Sequence, residues 1–345
     1  MEIRESIIYL DKDDYIYKPG ETISGRIEYL FPNVIKVRDI TVLFRGYAHV
    51  EFVAPDLIQR YGVKKKPIIE NKLHTSDEEY FNVSFSILNN QQGEDIQIPS
   101  GKQVYPFKYT LPETIPSSFE GKHGYVRYNL KIALDKSTEN NVDRIDQIVS
   151  IAPFEVTRNV NRNIDHCCTG PLHIQIKHRF KCLCCVSRPL KVDVQAPETG
   201  YWPGRNINLE VDVDNRSNVS VKLVEVSLRR LVAYKAVNPK NFLMSSAETI
   251  KTVPTGSAPS GSKRHWSIQI EVPTVPPSKM INCELISLDY DIHVKCNMQC
   301  RSNQQEMQPI YIGTGPIVCR CNRSKSEALR SETPSVEDSA KSRSA

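Results

Sequence analysis

The stretch YVRYNLKIAL, residues 125–134, shows the pattern that decides the fold of this 345-residue chain. Apolar and polar side chains alternate along it, so a β-strand would bury one row and solvate the other. The same alternation recurs in residues 209–214, 266–272 and 288–296. Strands with one buried face form antiparallel sheets, and each such sheet needs a second sheet to cover it. The pattern therefore predicts an all-β protein made of antiparallel β-sandwiches.

An internal repeat indicates that one module occurs twice. The segments YKPGETI at 17–23 and YWPGRNI at 201–207 each lead into an alternating stretch. Their Pro-Gly pairs favour a tight turn, because Pro sets its own φ and Gly accepts a positive φ. A second pair of segments follows in the same order, LPETIPS at 111–117 and VPTVPPS at 272–278. We therefore expect two β-sandwiches in tandem.

Composition agrees with a globular chain of about two domains. Hydrophobic residues make up 39% of the chain, and the formal net charge of +5 is too small to indicate a nucleic-acid partner. The sequence shows neither a membrane-spanning apolar run nor a secretory signal, so we expect a cytoplasmic protein. The predicted parts are a sandwich at 1–158, a basic Cys-rich interdomain segment at 159–187, a sandwich at 188–318 and a disordered polar tail at 319–345.

Enzyme motifs are absent from the sequence. It contains no His-Glu-x-x-His, no Gly-x-Ser-x-Gly and no Gly-x-x-x-x-Gly-Lys. Gly313-Thr314-Gly315 is followed by Pro316, which has no N–H to donate to a phosphate. Asp289 and Asp291 fall on the predicted solvent face of a strand, where carboxylates are ordinarily hydrated. We therefore predict no catalytic residue, no metal and no cofactor.

Residues 158–195 combine a basic charge with a cluster of cysteines. The segment holds seven basic and two acidic side chains. It also holds five of the ten cysteines, namely Cys167, Cys168, Cys182, Cys184 and Cys185. In the simplest interpretation the segment lies in solvent and its cysteines are small hydrophobic residues near the domain joint. Two interpretations with a function compete with this one.

The first of these is peripheral membrane contact. Basic side chains near anionic lipid contribute about 1 kcal/mol each. Paired cysteines beside a basic stretch suit S-acylation, because one acyl chain anchors stably only together with a second signal. The candidate residues are Cys182, Cys184, Cys185, Lys177, Arg179 and Lys181.

The second is a zinc site. Cys182 and Cys185 have Cys-x-x-Cys spacing, and the upstream Cys167, Cys168 or His166 would complete a tetrahedron. The upstream cysteines are adjacent, so only half of a zinc-ribbon pattern is present. A redox role for the same Cys-x-x-Cys has no βαβ context to support it.

The chain resembles the arrestin-domain-containing proteins, or α-arrestins, from Tyr9 to Pro316. In the first half the resemblance is carried by YKPGE at 17–21, FRGYA at 44–48, YPF at 105–107 and GYVRY at 124–128. In the second half it is carried by TGPL at 169–172, VPPS at 275–278, NC at 282–283, LDY at 288–290 and IYIGTGP at 310–316. The motif residues expected to have structural roles are Pro19, Gly20, Gly46, Arg127, Tyr128, Pro203, Gly204, Pro276, Pro277, Asp289, Tyr290 and Gly313.

The resemblance implies an arrestin N-domain and an arrestin C-domain, each an immunoglobulin-like β-sandwich, that together form a shallow saddle. It also implies a non-catalytic trafficking adaptor that binds membrane cargo, such as receptors or transporters, and links it to endocytic or ubiquitination machinery. Two alternatives are a sorting scaffold of the retromer-subunit type and a redox-linked regulator that binds a thioredoxin-like partner through a cysteine. Such a saddle would bind cargo with a sheet face or an exposed edge strand. Arg127 and Lys108 are cationic candidates for an acidic cargo tail, with an ordinary surface role as the alternative.

One family feature is missing from the sequence. Many α-arrestins carry Pro-Pro-x-Tyr motifs, which dock the WW domains of HECT-type ubiquitin ligases. The sole Pro-Pro pair here, Pro276-Pro277, is followed by Ser278-Lys279, and residues 317–345 contain neither Pro-Pro nor Tyr. We therefore predict no direct docking of a WW-domain ligase, and expect the protein in the cytoplasm or peripherally at the plasma membrane or endosomes.

Overall fold

The computed structural model describes residues 5–58, 68–88, 95–136, 146–158, 170–180, 188–299 and 301–315. Every regular element within these ranges is a β-strand, as the sequence predicts. The first half contains β1 (Glu5–Leu10), β2 (Ile16–Tyr17), β3 (Thr22–Phe31), β4 (Ile35–Ile58), β5 (Ile68–Ser86), β6 (Ile96–Ile98), β7 (Gly101–Thr110), β8 (Phe119–Gly121), β9 (Gly124–Lys136) and β10 (Asp146–Val156). The second half contains β11 (Leu172–His178), β12 (Leu190–Ala196), β13 (Gly200–Tyr201), β14 (Asn206–Asn215), β15 (Val221–Ala236), β16 (Phe242–Pro254), β17 (Ser262–Glu271), β18 (Ile286–Met298) and β19 (Gln304–Ile312).

The strands of the first half form two sheets that pack face to face. One sheet has the order β1-β3-β7 and the other β2-β10-β9-β4-β5, with β6 added to β4 and β8 added to β9. The sheets meet at aromatic rings: the centroid of Phe44 on β4 lies 4.7 Å from that of Tyr109 and 6.0 Å from that of Phe107, both on β7. The alternation of residues 125–134 is present on β9, whose apolar row is buried while Arg127 is exposed.

The second half repeats the two main sheets of the first, with β11 added and without counterparts of β6 and β8 among the described strands. Its sheets have the orders β11-β12-β14-β17 and β13-β19-β18-β15-β16. Strands β12, β14 and β17 correspond to β1, β3 and β7, and β13, β19, β18, β15 and β16 correspond to β2, β10, β9, β4 and β5. Only β11 has no counterpart among the described strands of the first domain. The prediction of two tandem sandwiches is confirmed.

Two matching hydrogen bonds identify equivalent residues in the two domains. The Tyr128 hydroxyl on β9 donates to the carbonyl oxygen of Pro116 at 2.7 Å. The Tyr290 hydroxyl on β18 donates to the carbonyl oxygen of Pro276, also at 2.7 Å. Each bond ties the segment before a strand to the middle of that strand. The two repeated segments therefore make the same hydrogen bond in both domains.

The shortest strands match as well. Tyr17 on β2 lies parallel to Val156, and Tyr201 on β13 lies parallel to Ile312. The N–H of Gly313 then donates to the carbonyl oxygen of Tyr201 at 2.9 Å. These register pairs make Val156 and Ile312 equivalent.

Two of the motif glycines lie in turns, and a third packs against the core. Gly20 has φ 78° and Gly204 has φ 83°, a left-handed conformation that glycine adopts without strain. Gly46 on β4 faces two aromatic rings, because a Cβ at this position would lie 2.5 Å from Tyr128 and 2.6 Å from Phe81. Glycine at position 46 therefore permits the ring packing beneath β4.

The β4–β5 hairpin also contacts the second domain. Thr75 and Asn238 exchange two backbone hydrogen bonds of 2.9 and 3.1 Å. The ring of Phe52 lies 5.8 Å from that of Phe242, and His74 is fully buried against both rings. Neither ring nitrogen of His74 has a hydrogen-bond partner among the described residues. An aromatic cluster and a two-residue bridge thus join the domains.

The segment 159–187, predicted to be interdomain, contains strand β11. Its Leu172, Ile174 and Ile176 are buried while the residues between them are exposed. Strand β11 pairs with β12, so this part of the segment belongs to the second sandwich. The predicted tail at 319–345 lies outside the described residues.

Candidate functional site

Strand β1 lies at the edge of its sheet, and no described strand pairs with its outer side. It pairs with β3 along all six of its residues. In the second domain the equivalent strand β12 is covered by β11 through seven register pairs. An open edge presents backbone N–H and C=O groups that can pair with another chain. Among the described strands, the first domain therefore leaves the outer side of β1 unpaired by a strand, whereas the second domain pairs the equivalent β12 with β11.

Two hydrogen bonds show which backbone groups of β1 point outwards. The Asp11 N–H donates to the carbonyl oxygen of Ser24, next to β1, at 2.9 Å. On the opposite side, the Ser6 carbonyl oxygen accepts a hydrogen bond from the Ser150 hydroxyl at 2.9 Å. Because backbone groups alternate in direction along a strand, the N–H and C=O of Ile8 point to the open edge.

The side chains beside this edge are apolar and cationic. Ile7 and Tyr9 on β1 and Val104 on β7 are large exposed apolar side chains. The Arg26 guanidinium lies 4.5 Å from the ring centroid of Tyr9, a cation–π contact. Lys108 on β7 is exposed and has no ion-pair partner among the described residues. This face, with the edge of β1, is the candidate site.

Glu28 is an acidic side chain on the same face. Its carboxylate lies 2.8 Å from Lys102 Nζ and 3.0 Å from Arg26 Nε. The hydrogen bond from Lys102, followed by that from Arg26, lowers the pKa of Glu28 below its usual value. Both cations beside Glu28 are therefore partly neutralised, and Lys108 is the free cation of the described face.

Arg127 and Lys108, the two cationic candidates, lie on different sheets. Arg127 on β9 donates two hydrogen bonds to the Glu120 carboxylate, at 2.6 and 3.0 Å. Its guanidinium also lies 3.7 Å from the ring centroid of Tyr125. Arg127 is thus already paired within the protein, and the structure does not bring it together with Lys108.

The prediction that Asp291 is solvated is wrong. Asp291 is 1% exposed and accepts two hydrogen bonds from Arg229, at 2.8 and 2.5 Å. Arg229 stands directly opposite it on β15, and Met307 on β19 lies 3.2 Å from the same guanidinium. Neighbouring side chains cover the carboxylate even though it lies on the outer face of its sheet. Asp289, two residues earlier, is exposed as expected.

The Cys-rich site residues fall largely outside the described part of the chain. Cys167, Cys168, Cys182, Cys184, Cys185, His166 and Lys181 lie there, so the acylation and zinc interpretations stay predictions. Lys177 at the end of β11 and the nearby Arg179 are exposed.

Two other cysteines are described. Burial raises the pKa of the Cys296 thiol to about 12 and also raises that of Cys283. Both thiols are therefore protonated at neutral pH, and neither suits thiolate chemistry. The described residues contain no group of three or more His, Cys, Asp or Glu placed to hold a metal ion. Nor does this part of the chain include a helix long and apolar enough to cross a bilayer.

Comparison with known proteins gives matches over both halves. The family model of the arrestin (or S-antigen) N-terminal domain matches residues 7–163, and that of the arrestin C-terminal domain matches residues 186–317. Arrestin domain-containing protein 17 of Caenorhabditis elegans is 24% identical over 320 residues, 90% of this chain and 70% of that protein. Arrestin domain-containing protein 1 of Mus musculus is 24% identical over 287 residues, and arrestin domain-containing protein 4 of Homo sapiens is 25% identical over 321 residues.

The extent of these matches differs between relatives. The alignment with the mouse protein covers 83% of this chain but 59% of the mouse protein. The alignment with the human protein covers 90% of this chain and 71% of the human protein. The shared region is therefore the pair of sandwiches.

Proposed function

The chain belongs to the arrestin-domain-containing proteins, and from this membership we propose that it is a non-catalytic adaptor for membrane cargo. The family supports an adaptor role in general. We propose more specifically that the cargo is a receptor or transporter, held by a segment that it exposes to the cytoplasm. The link from cargo to endocytic or ubiquitination machinery is part of the same proposal, without direct docking of a WW-domain ligase.

The observation that carries the proposal is the open edge of β1. A cargo segment in extended conformation would add a strand beside β1, as β11 does beside β12 in the second domain. Main-chain hydrogen bonds would then supply affinity, while the neighbouring side chains supply specificity. Ile7, Tyr9 and Val104 favour apolar side chains, and Lys108 favours an acidic one.

Two substitutions at one position test this edge. Ile8→Pro removes the outward N–H, whereas Ile8→Ala keeps it, and both variants lose the isoleucine packing. We expect proximity labelling in intact cells to mark transmembrane receptors or transporters with the wild type. Ile8→Pro should reduce this labelling at least tenfold, and Ile8→Ala less than threefold.

Two results would contradict the proposal. Equal losses in both variants would show that the edge does not bind cargo. Co-purification of a fixed coat complex in stoichiometric amount, without labelled cargo, would favour the sorting scaffold instead.

A further inference from the structure

A second surface of the first domain lies away from the β1 edge. A groove of about 770 Å³ runs over the outer face of β9 and β10, beside the loop that leads into β2. Pro276 of the second domain lines one side of it. Its volume falls within the range of about 300–1,000 Å³ typical of ligand sites. The lining includes exposed apolar side chains, Tyr15 at 48% and Ile151 at 56%.

Comparison with the second domain shows that the fold does not require an exposed side chain at the position of Tyr15. Glu155 N–H donates to the carbonyl oxygen of Tyr15 at 2.9 Å, and Tyr311 N–H donates to that of Thr199 at 2.8 Å. The pairs are equivalent, because each precedes a matching strand pair. Thr199 and Tyr311 are buried, whereas Tyr15 is exposed and has φ 53°, in the left-handed region. Such backbone strain in a bulky residue is typical of functional sites.

The carboxylates near the groove also differ from their equivalents in the second domain. Glu198 of the second domain is equivalent to Asp14, and it forms an ion pair with Arg205. Asp14 accepts a backbone hydrogen bond from Ile16 but has no ion-pair partner among the described residues. Glu155 also has none within the described ranges. The groove therefore carries two uncompensated carboxylates.

The cation in the lining is already engaged. Arg127 pairs with Glu120 and stacks on Tyr125. An occupant that neutralises Asp14 and Glu155 must therefore bring its own positive charge. A basic side chain near the Tyr15 ring would add a cation–π contact.

We propose that this groove binds an extended peptide segment of a partner protein, with one Arg or Lys between apolar residues. The basic side chain meets Asp14 and Glu155, and the apolar neighbours contact Tyr15 and Ile151. This site is distinct from the β1 edge and does not depend on the cargo proposal. It gives the protein a second docking surface.

Defined peptide pools test the proposal in fluorescence polarisation with the purified full chain. Nine-residue peptides with random flanks carry Arg, Lys, Ala or Glu at the central position. The wild type should bind the Arg and Lys pools at least tenfold more tightly than the Glu pool, with the Ala pool between them. The net charge of +5 favours acidic peptides, so overall charge does not explain the expected order.

Three variants locate the binding. Glu155→Lys should abolish the preference for the basic pools, whereas Glu306→Lys makes the same charge change on an exposed position of β19 and should preserve it. Tyr15→Gly suits the left-handed backbone, so it should fold normally and weaken binding of the Arg pool about fivefold.

Failure of this proposal is separable from failure of the cargo proposal. Equal affinity for the Arg and Glu pools would overturn it, as would an unchanged preference in Glu155→Lys. Loss of the preference in Ile8→Pro, at the β1 edge, would also overturn it, since Ile8 does not line the groove.

Discussion

The two domains share one framework of strands but treat its outer surfaces differently. The second domain covers its edge strand with β11 and pairs Arg229 with the buried Asp291. In the first domain no described strand lies beyond β1, and Asn129 takes the place equivalent to Asp291. Arg45, equivalent to Arg229, pairs instead with the exposed Glu79 at 3.0 Å. The two domains thus share the framework of their core, while the pairing of their outer side chains and edge strands differs.

The largest expected difference concerns the two equivalent arginines. Arg229→Ala leaves the Asp291 carboxylate buried without a partner and should destabilise the second domain by about 3–5 kcal/mol. Arg45→Ala removes an exposed ion pair and should cost about 1 kcal/mol or less. Urea unfolding of both variants gives the free energies of unfolding. Equal losses would mean that burial does not distinguish the two pairs.

The next effect is at position 46. Gly46→Ala places a Cβ against the Tyr128 and Phe81 rings and should cost about 1–3 kcal/mol through overpacking. The equivalent residue in the second domain is Arg230, whose side chain pairs with the exposed Glu248. Arg230→Ala should therefore cost about 1 kcal/mol or less. A smaller loss of stability in Gly46→Ala than in Arg230→Ala, measured by thermal unfolding, would contradict this prediction.

The smallest expected effect is a pH dependence that comes from one histidine of the second domain. His265 lies 2.9 Å from Asp212, and this hydrogen bond raises the pKa of His265 above its usual value near 6.5. The resulting stabilisation is fully present below about pH 6.5 and is lost as pH rises through the raised pKa. The equivalent pair in the first domain is Glu28 opposite Val104, which has no group titrating near neutral pH.

Replacement of His265 by valine, the residue at the equivalent position of the first domain, isolates this effect. The melting temperature of the wild type should fall slightly more between pH 6 and pH 8 than that of His265→Val. Differential scanning calorimetry at both values of pH measures the difference. An identical pH dependence in the two proteins would show that the exposed His265 pair contributes nothing measurable.

Local patterns in the sequence predict the framework well. The alternation at 125–134 and the Pro-Gly segments at 17–23 and 201–207 involve residues that are close together in the chain. They can therefore be recognised from the sequence alone. Strand β11 carries the same alternation over only seven residues beside the cysteines. The interdomain interpretation of 159–187 depends on its charge and its cysteines, and it therefore misses this strand.

The candidate site was less accessible to prediction. The resemblance implies an exposed edge strand for cargo, but nothing in β1 itself shows that no described strand pairs with its outer side. The sequence makes Arg127 a cationic candidate with an ordinary surface role as the alternative, and the structure pairs it with Glu120 across the β8–β9 turn. The β9 pattern predicted that Arg127 is exposed and gave no information about its partner.

The alternation of side chains is enough to predict a doubled β-sandwich with apolar rows facing inward, because burial along a strand follows a period of two residues. Which outward residues meet depends instead on the folded chain. Arg229 and Asp291 stand 62 positions apart and become neighbours through the register of β15 and β18. The open edge of β1 and the groove beside Tyr15 likewise depend on which strands lie next to each other. Pairing between distant strands is set by the whole fold, and no single stretch of the chain encodes it.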